Sequence, residues 1–333
     1  MRQFTLYTFA SLMLIVLSAC GGSSSQGAST GADGDVPTLV IAEPLRGFGY
    51  LPLYVAVQED YFEGVDIEIT TLAGGSAHTN AVLTNEAWAF IGGPEHNAFA
   101  KAKNADLKAI INVVNRGNVY MVAKEGLGVE EDMATFLKGK SIVTTAYGGT
   151  PNSITRYLLN EWGLDVDQDV TLLEVDQSSI PSVVSEGQAE IAVVADPILQ
   201  QGMNEGIWTA PFYNIPEEMG DYAYSTINVQ LDTIEEHPEQ VEAFVEGMKK
   251  GLAYIEEDPE AALAIAKKEF PTFEDDMLKS MMDRAIQDQH WEFSGEITEQ
   301  SIQTNLEVVV NAEMLEPNVI SYEDIVESSF FQK

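Results

Sequence analysis

The chain has 333 residues, of which 53 are acidic and 17 basic, giving a formal net charge of −36 with 45% hydrophobic residues and a single cysteine. A surface this dense in carboxylates repels phosphate backbones and anionic headgroups, which argues against nucleic acid and charge-held lipid as partners. One cysteine allows no internal disulfide, and the length suggests about two lobes with a sizeable core.

The first element in chain order is an apolar run over residues 4–17. It is too short for a bilayer core of about 30 Å, which takes about 20 apolar residues, and it ends in small residues as at a cleavage site. Leu17-Ser18-Ala19-Cys20 resembles the lipobox of bacterial lipoprotein precursors. That resemblance implies a signal peptide over 1–19, lipidation of Cys20, and acyl chains of the palmitate kind holding the mature protein at a membrane surface. Residues 20–36 lack periodicity and large apolar side chains, so they read as a flexible tether.

Beyond the tether, short β-branched runs at 38–42, 65–71, 88–91, 109–114, 119–123, 141–145, 170–175 and 190–195 predict strands. Helical stretches such as 76–85 and 152–161 fall between them, so the pattern is α/β. Ser76 and Thr150 stand where a hydroxyl caps a first helical turn. From His237 onward the pattern is almost wholly helical, with Pro238, Pro259 and Pro271 placed to start helices.

Two segments echo each other: Thr70-Thr71-Leu72-Ala73-Gly74-Gly75-Ser76 and Thr144-Thr145-Ala146-Tyr147-Gly148-Gly149-Thr150. Each reads strand, glycine pair, hydroxyl, helix. A glycine pair lets backbone approach a ligand, and the helix start that follows offers unpaired N–H groups. The repetition suggests two similar lobes facing one cleft. A second matching pair is Trp88-Ala89-Phe90-Ile91-Gly92-Gly93-Pro94-Glu95 and Glu190-Ile191-Ala192-Val193-Val194-Ala195-Asp196-Pro197, where a buried strand runs out beside proline and a carboxylate.

Gly49-Tyr50-Leu51-Pro52-Leu53-Tyr54-Val55-Ala56 with Tyr61-Phe62, the Gly74-Gly75-Ser76 turn, the segment from Gly92 to Phe99, Leu137-Lys138-Gly139-Lys140, and Gly187-Gln188-Ala189-Glu190 through Asp196-Pro197 together resemble the substrate-binding proteins of bacterial ABC importers. Within them the chain is similar to the nitrate, sulfonate and taurine group that also holds thiamine-pyrimidine and riboflavin binders. The resemblance covers essentially the whole mature chain. It implies a type II periplasmic binding protein, two α/β lobes joined by a hinge around an interlobe cleft. It also implies a monomer without cofactor or catalytic residues, lipid-anchored on the extracytoplasmic face, that delivers a small-molecule ligand to an ABC permease and its ATPase. The crossings fall near 119–124 and 224–231, which gives one lobe from 37–122 plus 228–333 and the other from 123–227.

Open α/β sheets hold ligands at strand ends and helix starts. In the first lobe those positions are Glu43, Arg46, Tyr50, Gly75, Ser76, His78, Glu95, His96 and Asn97; in the second they are Tyr147, Gly149, Thr150, Asn152 and Asp196. Tyr50, Tyr54 and His78 each have a structural alternative, and Trp291 stands between core packing and a cleft wall. Trp88, Trp162 and Trp208 are expected in the core.

Arg46 is the one cation in that set, whereas an oxyanion binder needs mostly donors. Carboxylates, imidazole and carboxamide suit the edge of a neutral or cationic heteroaromatic, a vitamin precursor, pyrimidine or flavin-like ring, with tyrosine stacking on its face. The thiamine-pyrimidine binders carry Asp-Trp-x-Pro-Asn after the first strand, and here Ala42-Glu43-Pro44-Leu45-Arg46 replaces it. A sulfonate, nitrate or taurine binder and a sensor lipoprotein remain alternatives. A thiamine-pyrimidine synthase of the same fold family needs a cysteine cluster that this chain lacks. Its four histidines are scattered, with no HExxH or GxSxG motif and no paired metal spacing, and zinc on His78, His96 and a carboxylate is the one conceivable metal set.

Overall fold

A computed structural model describes residues 36–331, so the apolar leader, Cys20 and all but the last residue of the tether lie outside it. Chain order begins β1 (Thr38–Glu43), α1 (Leu51–Gln58), β2 (Asp66–Thr71), α2 (Ala77–Leu83), β3 (Ala89–Gly92), α3 (Glu95–Lys101) and β4 (Leu107–Val114). It continues through β5 (Tyr120–Ala123), α4 (Met133–Leu137), β6 (Ser141–Thr145), α5 (Thr150–Glu161), β7 (Thr171–Val175), α6 (Ile180–Ser185), β8 (Ile191–Val194), α7 (Ile198–Asn204), β9 (Tyr213–Asn214) and α8 (Ile215–Met219). After β10 (Ser225–Gln230) come α9 (Leu231–Glu236), α10 (Pro238–Glu257), α11 (Pro259–Glu269), α12 (Asp275–Gln287), α13 (Glu299–Asn311) and α14 (Tyr322–Ile325).

The strands form two five-stranded sheets, ordered β2-β1-β3-β10-β4 and β7-β6-β8-β5-β9. In the first, β1 runs parallel to β2 and β3 while β10 lies antiparallel to β3 and β4. In the second, β6 runs parallel to β7 and β8 while β5 lies antiparallel to β8 and β9. The chain crosses between sheets twice, from β4 to β5 and from β9 to β10. Interior strands β3, β5 and β8 are buried at every position, so their sequences are continuous apolar runs. The edge strand β2 alternates charged and apolar residues.

The C-terminal helices build onto the first sheet. α10 turns Val241, Phe244, Val245, Met248, Leu252 and Ile255 inward at helical spacing and packs on α1, itself buried from Leu51 to Ala56. α13 instead reaches across and lies against α5 of the second lobe.

Several local expectations are corrected. Thr150 does not cap α5; Gly149 does, and the Thr150 hydroxyl turns to Glu95 instead. Ser76 occupies the cap position of α2 without making a side-chain capping bond. Pro238 and Pro259 open helices, but Pro271 does not, since α12 begins at Asp275. The echoing Gly-Gly turns follow β2 and β6, which are not equivalent: β6 corresponds by strand order to β1, and β2 to β7. Their likeness reflects a shared local need for a sharp strand-to-helix turn. The β3 and β8 segments are the pair that does correspond.

Candidate functional site

The C-terminal ends of all six parallel strands, β1 to β3 and β6 to β8, open onto one cavity of about 370 Å3. Its walls are largely apolar, with Pro44, Leu45, Ala73, Ala146, Pro151, Val175, Pro197 and Ile198 supplied by both lobes. Polar side chains interrupt them: Arg46, Tyr50, Thr71, His78, His96 and Tyr224 from the first lobe and its returning strand, and Thr145, Thr150, Asp176, Gln177 and Ser178 from the second.

Of the positions expected from the sequence, Arg46, Tyr50, Gly75, His78, His96, Gly149 and Thr150 line this cavity. His78 and His96 are both buried, their rings perpendicular with centroids 4.8 Å apart. Burial, and then His96, drives the His78 imidazole well below its ordinary pKa; burial lowers His96 against the pull of Glu95. Both rings are neutral at pH 7. His78 Nδ1 has no hydrogen-bond partner, and neither does Thr145 Oγ1 on the opposite lobe. Two unpartnered buried polar atoms cost free energy unless a ligand or water meets them. Among the described residues no cluster of three or more His, Cys, Asp or Glu could hold a metal ion.

Arg46 lines the cavity, yet its charge is already met. It pairs with Glu269, lies 3.4 Å from Glu43 and sits 3.9 Å above the Tyr54 ring. Glu43 itself is fully buried behind the wall, accepting from Tyr54 Oη at 2.7 Å and Thr71 Oγ1 at 2.8 Å. Burial raises its carboxyl above the usual range, and those donors together with Arg46 oppose the rise.

Glu95, Asn97, Asn152 and Asp196 are likewise buried but do not line the cavity. Glu95 accepts from Thr150 Oγ1 at 2.5 Å and from Asn305 Nδ2 at 2.8 Å. Asn97 donates to Asn228 at 2.7 Å, inside the first lobe. Asn152 donates to Glu174 at 2.8 Å and to the Thr145 carbonyl at 3.0 Å, fixing the second glycine turn. Asp196 accepts from Arg284 Nε at 2.8 Å and from the Gln200 backbone N–H at 3.1 Å; burial raises its carboxyl, and Arg284 counters that. Ser76 flanks the first turn outside the wall, and Tyr147 is 58% exposed with the Arg156 guanidinium 5.2 Å from its ring.

The lobes touch on several sides of the cavity. A methyl group on Gly75 would stand 2.5 Å from the Tyr147 carbonyl oxygen, so the two glycine turns meet directly. On the hinge side Arg284 of α12 holds Asp196, and Tyr120 of β5 bonds to Asp288 and, at 2.9 Å, to His290. Trp291 is buried there, donating to the Gly49 carbonyl at 2.9 Å, and is packing rather than wall. Asn160 and Asn311 join α5 to α13 at 2.8 Å on the far side.

Sequence reasoning missed Thr71, Thr145, Tyr224 and the run Asp176-Gln177-Ser178. The run directly follows a strand, so the strand-end rule was sufficient to find it; Tyr224, at the start of the returning strand, carries no local signal.

Residues 48–262 match the model of the family described as NMT1/THI5 like. A Bacillus subtilis relative, the candidate binding protein YtlA, is 25% identical over 251 residues, covering 73% of this chain and 74% of the relative. Among solved structures, a ligand-binding component of an ABC-type import system from Staphylococcus aureus, with zinc bound, superposes with a TM-score of 0.73 at 15% identity over 89% of this chain and 98% of its own. The alkanesulfonate-binding protein SsuA of Xanthomonas axonopodis pv. citri, bound to MOPS, gives 0.71 at 14% identity over 86% and 97%. The fold is therefore that of the two-lobed periplasmic binding proteins.

Proposed function

Because the chain belongs to the NMT1/THI5-like family, we propose that it is an extracytoplasmic solute-binding protein of an ABC import system, which closes two lobes on a small molecule and presents it to a membrane permease and its ATPase. The observation that carries this reading is the cavity at the six strand ends, lined from one lobe by His78 and from the other by Thr145, each of which keeps a buried polar atom without a partner, Nδ1 and Oγ1. A solute that contacts residues of both lobes gains binding energy only when they are together, so it favours the closed arrangement. Binding and release, rather than turnover, is the activity. Lipidation at Cys20 tethers the protein at the outer face of the cell membrane, and replacing Cys20 by alanine is expected to release it from salt-washed membranes.

The solute is a neutral or cationic heteroaromatic. Apolar walls suit a flat ring, the two imidazoles are neutral hydrogen-bonding groups, and the one cation is already paired with Glu43 and Glu269. A sulfonate or nitrate reading is favoured by Arg46 on the wall, by the start of α5 at Gly149 and Thr150, and by the likeness to an alkanesulfonate binder. Calorimetric titration with pyrimidines, flavins, taurine, alkanesulfonates and nitrate separates the two. We expect a ring compound to bind and to raise the melting temperature, since a ligand at 100 times its Kd adds about 2.7 kcal/mol. Binding of only the oxyanions overturns the heteroaromatic reading, and binding of none of the panel overturns both.

A further inference from the structure

Glu95 is fully buried and does not line the cavity, yet it touches the group that does. Its two oxygens have different partners. Oε2 accepts from Asn305 Nδ2 of α13, and Oε1 accepts from Thr150 Oγ1 at the start of α5, across the cleft. The Asn305 amide has no freedom to turn over, because the same Nδ2 also donates to the Ala223 carbonyl at 3.1 Å; a rotated amide would set its oxygen against two acceptors. With Glu95 as the carboxylate, the bonds run in one direction from a backbone carbonyl outward, through Asn305 and Glu95, to Thr150. A hydroxyl has one proton. Thr150 spends its proton on Glu95 and makes no other side-chain hydrogen bond among the described residues, so only lone pairs are left for the cavity it lines.

We infer that Glu95 is a specificity-determining residue that acts through Thr150: in the closed cleft it makes this hydroxyl an obligate acceptor, so the site selects solutes that place an N–H or O–H donor there. This rests on the proposal that the cavity binds a heteroaromatic solute and adds which edge of the ring must face the second lobe. An unalkylated lactam or amino edge satisfies Thr150; the same ring with that nitrogen methylated leaves the oxygen buried and unpaired, a loss on the scale of a missing hydrogen bond.

The relay also dictates what a neutral amide does in place of the carboxylate. In Glu95→Gln, Asn305 still donates to Ala223 and still needs an acceptor, so it takes the glutamine oxygen. The glutamine NH2 is then turned toward Thr150 and donates to it, freeing the threonine proton to point into the cavity. The wall reverses from acceptor to donor with no change in shape.

The test is ligand-observed NMR and calorimetry on the mature protein with matched pairs: 2-pyridone and N-methyl-2-pyridone, uracil and its N-methyl derivatives, lumichrome and its N-methyl derivatives. For wild type we expect the N–H member of a pair to bind about tenfold more tightly. Thr150→Ser keeps that preference, Thr150→Val abolishes it, and Glu95→Gln abolishes or inverts it. A wild type indifferent to methylation, or a folded Glu95→Gln protein with the wild-type preference, overturns the inference while leaving the heteroaromatic reading intact. If Glu95→Gln does not fold, an N–H preference that survives in Thr150→Val overturns it equally. Failure of every pair to bind wild type overturns the heteroaromatic reading, and this inference with it.

Discussion

The two lobes repeat one strand order and present the same ends of three parallel strands to the cavity, but they bring different chemistry to it. The first contributes mainly rings, Tyr50, Tyr224, His78 and His96, beside Arg46 and Thr71, whose polar groups are already bonded to carboxylates. The second contributes small polar groups: Thr145, Thr150, Asp176, Gln177 and Ser178. Rings grip a solute through area and shape, whereas short hydroxyls and carboxamides read its hydrogen-bonding edge. On the proposal that this cavity takes a solute, the shared topology fixes where the solute sits, and the unshared side chains divide its recognition into a holding half and a reading half.

The largest consequence of that division is acid sensitivity. All four histidines lie outside residues 120–214, so the second sheet and its strands contain none. His78 and His96 are held neutral by burial, and burial pushes His290 down to about 4. Depressing a histidine's folded pKa gives stability that is present above its unfolded value of about 6.5 and is lost as pH falls toward the folded value, because the unfolded chain takes up the proton first. Between pH 7 and 5 this costs up to about 2 kcal/mol for each such histidine. Glu43 and Asp196, with raised carboxyl pKa, work the other way and offset part of the loss. Hydrogen exchange at pH 5 should show protection falling in β1 and β3 while β6 and β8 hold. Equal loss in both sheets would remove the asymmetry.

A second test lies where the lobes meet. A methyl group on Gly75 collides with the backbone of the opposite turn, at the Tyr147 carbonyl, and backbone cannot swing aside as a side-chain tip does. A methyl on Gly149 stands 3.0 Å from Thr145 Oγ1 and 3.3 Å from the Ala146 carbonyl, within its own lobe. Gly75→Ala is therefore expected to act on closure, lowering solute affinity about ten- to a hundredfold, or about 1.4 to 2.7 kcal/mol, with little change in the urea midpoint of the ligand-free protein. Gly149→Ala should lower the midpoint as well. If Gly75→Ala bound like wild type, the contact between turns would be incidental.

The strands were legible in the sequence because buried parallel strands are continuous apolar runs: 141–145 is read to the residue, and 88–91 and 190–195 within one or two. Two-residue β9 carries no such run. The strand-end rule found both imidazoles and both glycine turns, since those follow their strands directly. It could not tell a side chain on the wall from one behind it. Glu43, Glu95 and Asp196 stand at strand ends as expected, but their partners Tyr54, Asn305 and Arg284 lie 11, 210 and 88 residues away in sequence, beyond any local pattern. The echo between the Gly-Gly turns was real as local grammar and misleading as symmetry, because a sharp strand-to-helix turn asks for the same residues wherever it occurs.

The smallest expected effect concerns the aromatic that the second lobe offers nearest the cavity. Tyr147 follows Ala146, which lines the wall, but its own side chain is 58% exposed and does not. Its ring is accompanied by Arg156, whose guanidinium is held by Asn152 and Glu174 on the outside of the second lobe. Tyr50, in the first lobe, is buried, lines the wall, and accepts from Ser225 Oγ at 3.4 Å, which leaves its own proton for the cavity. Calorimetry should therefore separate the two tyrosines. Tyr50→Phe removes one donor from the wall and should cost about 0.5 to 1.5 kcal/mol in affinity. Tyr147→Ala removes a larger group yet should cost less, under about threefold or about 0.7 kcal/mol, because an exposed ring gives up little area on binding and its contact with Arg156 is worth at most about 1 kcal/mol where it stands. A tenfold loss in Tyr147→Ala would mean that the ring swings onto the solute as the lobes close, giving the second lobe a holding function of its own.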